Sequence, residues 1–453
     1  MGLPSDDVVD IRQPERPGEP SVITISCPDK TGLGCDLCRV ILLFGLNVVR
    51  GDMSTDGKWC FVLFWVVARG NKATRWGLLK KRLLGACPVA LSLLGMDSYY
   101  YGQVETEQQS QVFLLKFSCY DRLGLLHGDS PFEILSSQNF SLICYKDFSL
   151  LRAVKFLEDG FRSSYVTQVL SELELTIRRV KVSTTPDGRV IDLFFITDTR
   201  ELLHTKSRKD ETCARLKAVL GDFMTSCDIE VASSEIAACL LASSSLPHSV
   251  MEEMFSLEVP DEPSTGSLPA LNNPSVTMDN SLSPAHTLIQ LYCHDHKGLL
   301  YDIMRALKDY NIQISYGRFY ASHNENCEID LFVMQVDGKK IVDPSKQKAL
   351  CDRLRMELSH PLRVMVMNRG PDTELLVANP VELCGKGRPL VFHDITLALK
   401  MLGTRIFLAE IGRHVAGERE WEVYRIHLGD DLELAASRNK IVEGVTKMLM
   451  GWE

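Results

Sequence analysis

The sequence predicts an α+β protein built from four similar units arranged in two pairs. An apolar, strand-like run that ends in a short acidic turn containing glycine occurs three times, over residues 22–37, 112–128 and 287–303. Helix-type and strand-type patterns follow in a shared order. A looser fourth copy begins at residue 374. The repeats therefore account for most of the chain.

Composition limits the classes of function. The chain has 453 residues, 45% of them apolar and 24% charged, which is typical of a globular protein with about three domains. A net charge of -9 argues against nucleic acid and against anionic membranes as partners. The longest apolar run, 59–68, is about half the length of a membrane-spanning helix.

The N-terminus lacks the features of a secretion signal or an organelle transit peptide. We therefore expect an intracellular protein in the cytoplasm, and a nuclear location stays open. The fourteen cysteines are spread along the chain and are predicted to be buried, reduced thiols.

The order of patterns within a unit predicts its fold. In the first and third copies, helical spacing after the glycine is followed by two strands, a second helix and a short strand. This β-α-β-β-α-β order is that of ferredoxin-like domains. In the fourth copy Leu390 stands where alignment on Asp394 would place the glycine, and no strand follows the last helix. That unit must leave a sheet position open or borrow a strand.

The patterns divide the chain as follows: a disordered N-terminus (1–20), unit 1 (21–103), unit 2 (110–240) with an insertion (129–165), an acidic Ser/Pro-rich linker (241–285), unit 3 (286–369) and unit 4 (373–453) without its last strand. The insertion is either a less ordered surface loop or a splicing or gene-model addition that damages unit 2. Because the connections inside each tandem are short, we expect unit 1 to pair with unit 2 and unit 3 with unit 4. Unit 4, with the least covered sheet, is the expected docking point for another chain.

The repeated Asp-x-x-Gly-Leu turn supplies the candidate ligand contacts. Glycine lets the backbone approach a ligand, the following helix N-terminus suits an α-carboxylate, and the aspartate can accept from an α-ammonium. The candidates are Asp29, Gly32, Leu33, Asp121, Gly124, Leu125, Asp295, Gly298 and Leu299. Alternatively, glycine and leucine only build the turn, and the aspartate caps the helix.

Other patterns carry less chemistry. Cys35 and Cys38 have the C-x-x-C spacing of metal ligands, but they lie within a predicted helix and no second pair completes a site. No Walker loop, nucleophile elbow, zinc-protease or kinase motif occurs. We therefore predict no catalytic residue, no metal and no cofactor.

The three turns in register, with GRVIDLFFITDT (188–199) and CEIDLFVMQ (327–335) at the matching strand, resemble ACT domains. Four such units with nothing else resemble the plant ACT-domain repeat (ACR) proteins, and each is similar to the sensory ACT tail of the bacterial PII uridylyltransferase. The resemblance implies tandem ferredoxin-like ACT domains that bind a free amino acid without catalysis and act on a protein partner or self-associate. The alternative is an interaction scaffold with vestigial ligand sites.

Overall fold

The computed structural model describes the greater part of the chain. The described residues are 8–14, 16, 18–68, 74–88, 111–120, 166–167, 169–184, 189–198, 202–221, 224–233, 235, 246–255, 274–322, 326–369, 372–382, 387–402, 404, 406–417, 419–428 and 438–452. The predicted insertion at 129–165 and the turn with Asp121, Gly124 and Leu125 lie outside them.

In the described part of the chain, successive helices are separated by one to three strands. The strands are β1 (Val9–Arg12), β2 (Ser21–Pro28), β3 (Leu46–Thr55), β4 (Trp59–Ala68), β5 (Val112–Tyr120), β6 (Leu175–Thr184), β7 (Arg189–Asp198), β8 (Met224–Val231), β9 (Ser275–Asp279), β10 (Thr287–His294), β11 (Ile312–Ala321), β12 (Asn326–Gln335), β13 (Arg363–Arg369), β14 (Asp372–Pro380), β15 (Ile406–Ala416) and β16 (Arg419–Leu428).

The helices are α1 (Leu33–Leu43), α2 (Trp76–Ala86), α3 (Lys206–Leu220), α4 (His248–Phe255), α5 (Leu299–Asp309), α6 (Pro344–Ser359), α7 (Val391–Met401) and α8 (Arg438–Met450). Helical residues also occur at 166–167 and 169–172, before β6. These helical residues are followed by a turn at Leu173 and Glu174.

The strands form two antiparallel sheets of eight. One has the order β1-β2-β4-β3-β11-β12-β10-β9 and joins unit 1 to unit 3. The other, β13-β14-β16-β15-β6-β7-β5-β8, joins unit 4 to unit 2. The predicted α+β class and the four units in two pairs are confirmed.

The predicted pairing within each tandem is wrong. At the first seam, β3 pairs with β11 through the register Ser54↔Tyr316 to Arg50↔Tyr320. An ion pair of 3.5 Å between Asp52 Oδ1 and Arg318 Nε crosses this seam. Connection length was a poor guide because the entropy of closing a loop grows only slowly with its length.

Strands that precede a unit fill the sheet positions expected at its end. β1, β9 and β13 pair with the first strands of units 1, 3 and 4, and β8 alone comes from the end of the unit whose first strand it pairs with. Antiparallel neighbours need only a short connection, so a preceding segment can enter the sheet as a hairpin. The prediction of a disordered N-terminus is therefore wrong for β1, and the predicted linker contains α4 and β9. Unit 4 borrows β13.

The four units share one irregularity, which supports their common origin as repeats. The strand after each first helix contains a register shift, at Val48/Arg50, Ile177/Arg179, Ile314/Tyr316 and Ile406/Leu408. Such bulges increase the local twist of a strand. They lie in the strands that form the two seams.

The apolar faces of the helices other than α4 build one core with each sheet. Hydrogen bonds between residues packed on different sheets join the two sheets. Arg82 of α2 donates to the carbonyl of Glu172, and Tyr301 Oη of α5 donates to Glu382 Oε1 at 2.9 Å. On the outer face of the second sheet, α4 covers Leu376, Ala378 and Trp421.

Candidate functional site

Two clefts flank the seam between β3 and β11, and they are related by an internal repeat. Asp29, Gly32 and Leu33 are followed 266 residues later by Asp295, Gly298 and Leu299. Each of these turns faces the end of the other unit's first helix and the start of its next strand. The six candidate residues of units 1 and 3 therefore lie at one seam, three in each cleft.

The unit 1 cleft has a volume of about 470 Å³ out to open solvent. Unit 1 supplies its turn, and unit 3 supplies Leu307, Lys308 and Gln313. The unit 3 cleft, of about 310 Å³, is lined by its own turn, by Leu42 and Asn47 of unit 1, and by Trp452 at the end of unit 4.

The aspartates hold strands rather than cap helices. Asp29 Oδ2 accepts from Thr55 Oγ1 at 2.7 Å, and Asp295 Oδ2 accepts from Asn47 Nδ2 at 3.2 Å. Neither helix start has a side-chain cap. The capping role considered for these aspartates is therefore not what the structure shows.

The glycines begin the helices in the left-handed conformation, with φ of 79° at Gly32 and 84° at Gly298. Each is also covered by a cation from another unit. A Cβ on Gly32 would lie 2.6 Å from Lys308 Cδ and Cε, and one on Gly298 would lie 2.9 Å from Arg388 Cζ. A side chain at either position would thus meet both backbone strain and a close contact.

Carboxylates in the first helical turn anchor these cations. Lys308 Nζ lies 3.1 Å from Asp36 Oδ1 and 3.0 Å from Glu382 Oε2. Although burial raises the pKa of Asp36, the ammonium groups of Lys30 and Lys308 more than offset it and hold that pKa below its ordinary value. The N-terminal turn of α1 is consequently a charged junction between units.

Arg388 makes the corresponding junction at α5. Its Nη1 donates to Asp302 Oδ2 at 3.3 Å, and its Nη2 donates to the carbonyls of Lys297 and Leu449. Lys297 in turn lies 2.7 Å from Asp394 Oδ2 in the first turn of α7. Units 3 and 4 are therefore linked through both helix starts.

Unit 4 carries Leu390 at the helix start, as the alignment on Asp394 predicts. Leu390 has φ of 64°, so the chain keeps the left-handed turn without glycine. This conformation costs a non-glycine residue roughly 1–2 kcal/mol. Unit 4 thus keeps the conformation of the turn but not the glycine that units 1 and 3 have at this position.

Two residues that line the unit 3 cleft each carry a buried ring nitrogen without a hydrogen-bond partner among the described residues. These nitrogens are Nε2 of His296 and Nε1 of Trp452. His296 is 7% exposed, and its Nδ1 lies 3.2 Å from the carbonyl of Lys297. Burial lowers the pKa of His296 to about 3. The ring is neutral at pH 7, with Nδ1 as donor and Nε2 as acceptor.

Three family models match the chain: the N-terminal part of ACT domain-containing protein ACR10 over residues 11–88, the ACR9-like, ACT-like domain over 275–372, and the C-terminal part of ACT domain-containing protein ACR9 over 373–451. The chain is 54% identical over 455 residues to the ACT domain-containing protein ACR10 of Arabidopsis thaliana, an alignment that covers all of both chains. It belongs to the ACR family of ACT domain-containing proteins.

A second ACR protein of Arabidopsis thaliana, ACR9, is 47% identical over 457 residues, again over all of both chains. The bifunctional uridylyltransferase/uridylyl-removing enzyme of Rhodospirillum rubrum is 28% identical over 185 residues, which are 41% of this chain and 17% of the enzyme. The resemblance to plant ACR proteins and to the bacterial enzyme is confirmed. ACR proteins are regulatory rather than catalytic.

Sequence patterns located only half of each cleft in this ACR protein. They found the turns, but not the residues that the partner unit contributes, such as Asn47, Lys308 and Gln313. Asn47 and Gln313 are related by the same 266-residue offset. With the seam known, this offset would have predicted that they occupy equivalent positions in the two clefts. Trp452 and Arg388 come from unit 4 and carried no signal of this role.

The remaining patterns have structural roles in the part of the chain that the structure describes. Cys35 and Cys38 lie buried in α1, and burial raises the pKa of both thiols. No group of three or more His, Cys, Asp or Glu side chains there could hold a metal ion. No helix within those residues is long and apolar enough to cross a bilayer.

Proposed function

We propose that this ACR protein is a non-catalytic regulatory protein that binds a free amino acid in the two clefts beside the β3–β11 seam. The observation that carries the proposal is the repeated geometry: the same turn, strand end and helix start occur twice, each facing the other unit. ACT domains typically bind amino acids.

The chemistry of the unit 1 cleft suits the two charged groups of an amino acid. Asp29, a partly exposed carboxylate, offers an acceptor to an α-ammonium. Lys308 and the start of α1 offer positive charge to an α-carboxylate. A ligand in this cleft would touch units 1 and 3 at once. Its binding energy would therefore favour the joined state of the seam.

Scaffolding is the second candidate, and Arg388 favours it. Its guanidinium lies over Gly298 and is already committed to Asp302 and two carbonyls. An α-carboxylate would have to share or displace this cation. On this alternative the seam and its ion pairs hold four units together for a protein partner, and no ligand is needed.

Calorimetric titration of the full chain with each of the twenty standard amino acids tests the proposal. We expect at least one to bind, and Asp29→Ala with Asp295→Ala to weaken that binding at least tenfold because the ammonium acceptors are lost. The matched control is Asp337→Ala, which removes a carboxylate that is 54% exposed in a turn outside both clefts. It should bind as the parent does.

Two results would favour the scaffold instead. One is the absence of heat and of a thermal shift with all twenty amino acids. The other is binding that the double aspartate variant retains in full, which would place the ligand elsewhere.

A further inference from the structure

The two clefts are not chemically equivalent, although the repeat relates them position by position. Lys30 of the unit 1 cleft corresponds to His296 of the unit 3 cleft, and Lys308 corresponds to Leu42. Two ammonium groups on one side are thus replaced by a neutral imidazole and an aliphatic side chain on the other. At these two positions the unit 3 cleft carries no charge, while the guanidinium of Arg388 lies over Gly298 at its turn.

Among the described residues that line the unit 1 cleft, none corresponds to Trp452. It is held beside the unit 3 turn by backbone contacts: the amide of Lys297 donates to the carbonyl of Met450 at 2.8 Å, and Arg388 Nη2 donates to the carbonyl of Leu449 at 2.9 Å. The end of unit 4 therefore forms a wall of a cleft that otherwise belongs to units 1 and 3.

The unpartnered nitrogens of this cleft have complementary roles. The indole N–H of Trp452 can only donate, while Nε2 of the neutral His296 can only accept. A buried donor or acceptor without a partner loses the hydrogen bonds that water would give it and is destabilising. A bound group that accepts from the indole and donates to the imidazole would remove both costs.

We propose that Trp452 and His296 form a subsite that selects amino acids with an uncharged polar side chain able both to donate and to accept a hydrogen bond, that is, a carboxamide or a hydroxyl. The inference rests on the proposed function, because the α-carbon groups of the same ligand would occupy the turn at Asp295. An apolar side chain would leave both ring nitrogens unpaired. A charged side chain would lose its hydration without an opposite charge at these two groups.

Matched ligands test this subsite in the full chain. Binding of threonine against valine, and of asparagine against leucine, is measured by calorimetry in the Asp29→Ala background, where, of the two clefts, the unit 3 cleft alone keeps its turn aspartate. We expect the polar member of at least one pair to bind about tenfold more tightly. Trp452→Phe, which keeps an aromatic ring but removes the N–H, should abolish that preference, and so should His296→Phe.

The control is Trp65→Phe. Trp65 stacks on the guanidinium of Arg50, 4.4 Å from its Cζ to the ring centroid, and lines neither cleft. This variant should keep the preference for the polar ligand. Circular dichroism and thermal melting of each variant establish that a lost preference is not a lost fold.

Three outcomes are distinct. Equal binding of polar and apolar partners by the Asp29→Ala chain overturns the inference and leaves the proposed function standing. A preference that survives both Trp452→Phe and His296→Phe does the same. Failure of the parent chain to bind any of the twenty amino acids overturns the proposed function itself, and the subsite with it.

Discussion

Gly32 and Gly298 are each required for two separate reasons, and only one could be predicted from sequence. The turn needs a left-handed residue, which glycine adopts without strain. The covering cations, Lys308 and Arg388, come from other units. Gly298→Val, which the sequence alone would offer as a clean test of ligand binding, would therefore also displace Arg388 from Asp302. Asp295 is the better position for such a test.

His296 should make the protein less stable in mild acid. Its folded pKa, about 3, lies below its ordinary value of 6.5, so between these limits the unfolded chain binds a proton that the folded chain does not. The free energy of unfolding should therefore fall as the pH drops from about 6.5. Melting temperatures measured from pH 7 to pH 5 should fall less steeply in His296→Asn than in the parent.

Some of the fall should persist in that variant, because burial also lowers the pKa of His360 and of His414. Equal slopes in the parent and in His296→Asn would show that His296 protonates normally in the folded state.

At the scale of elements, two of the strands that close the units, β1 and β9, come from segments predicted to be a disordered terminus and a linker. β1 has four residues, and Val9 at its start is fully buried. The amide of Ser26 donates to the carbonyl of Val8 at 2.9 Å, and the β1 register continues to Arg12↔Val22. So short a segment gains its strand conformation from the edge it covers rather than from its own propensity.

Deleting residues 1–13 should therefore destabilise the protein by about 3 kcal/mol, through loss of the buried Val9 and of the β1–β2 hydrogen bonds. Urea unfolding measures this loss, and light scattering should show self-association through the uncovered edge of β2. Deletion of residues 1–7 alone leaves β1 in place and should change neither. Parent-like urea midpoints for both deletions would mean that β1 contributes nothing to the fold.

The sequence predicted the helices and strands better than it predicted which units pair with one another. Helix starts at Gly32 and Gly298, and the modified start at Leu390, follow from local spacing because a turn is a local structure. The partner strand at each seam does not follow from local spacing, since any unit with the same strand order offers a similar sheet edge. The half of each cleft that depends on the seam was consequently invisible, as Lys308 beside Gly32 illustrates.

At the scale of the whole molecule, the crossed pairing interlocks the two halves of the chain. Units 1 and 2 lie in different sheets, and each completes its sheet with a unit from the other half. Buried ion pairs in addition join unit 3 to unit 4 within the second half: Glu357 of α6 lies 2.5 Å from Arg305 Nη2 and 2.7 Å from Arg419 Nη2 at the start of β16. Burial alone would raise the pKa of Glu357, but these guanidinium groups hold it at about 2.

The halves 1–240 and 241–453 should therefore associate when co-expressed. Neither half should elute as a folded monomer when it is expressed alone. Each isolated half would expose two seam strands, β3 with β6 or β11 with β15, that pair only across the halves. Affinity tagging of one half and size-exclusion chromatography of the eluate provide the measurement. Two halves that each elute as folded monomers, and do not bind one another, would contradict the crossed arrangement.

The crossed seam also has a consequence during synthesis. After β3 ends at Thr55, the ribosome must add 256 residues, 56–311, before β11 begins at Ile312. At about 5–20 residues per second this interval lasts on the order of tens of seconds. Throughout it, the growing chain carries an unsatisfied strand edge next to an unfinished half, and later parts of the message must be translated before the earliest unit reaches its final neighbour. A nascent chain of this kind depends on chaperones far more than one whose units mature one by one.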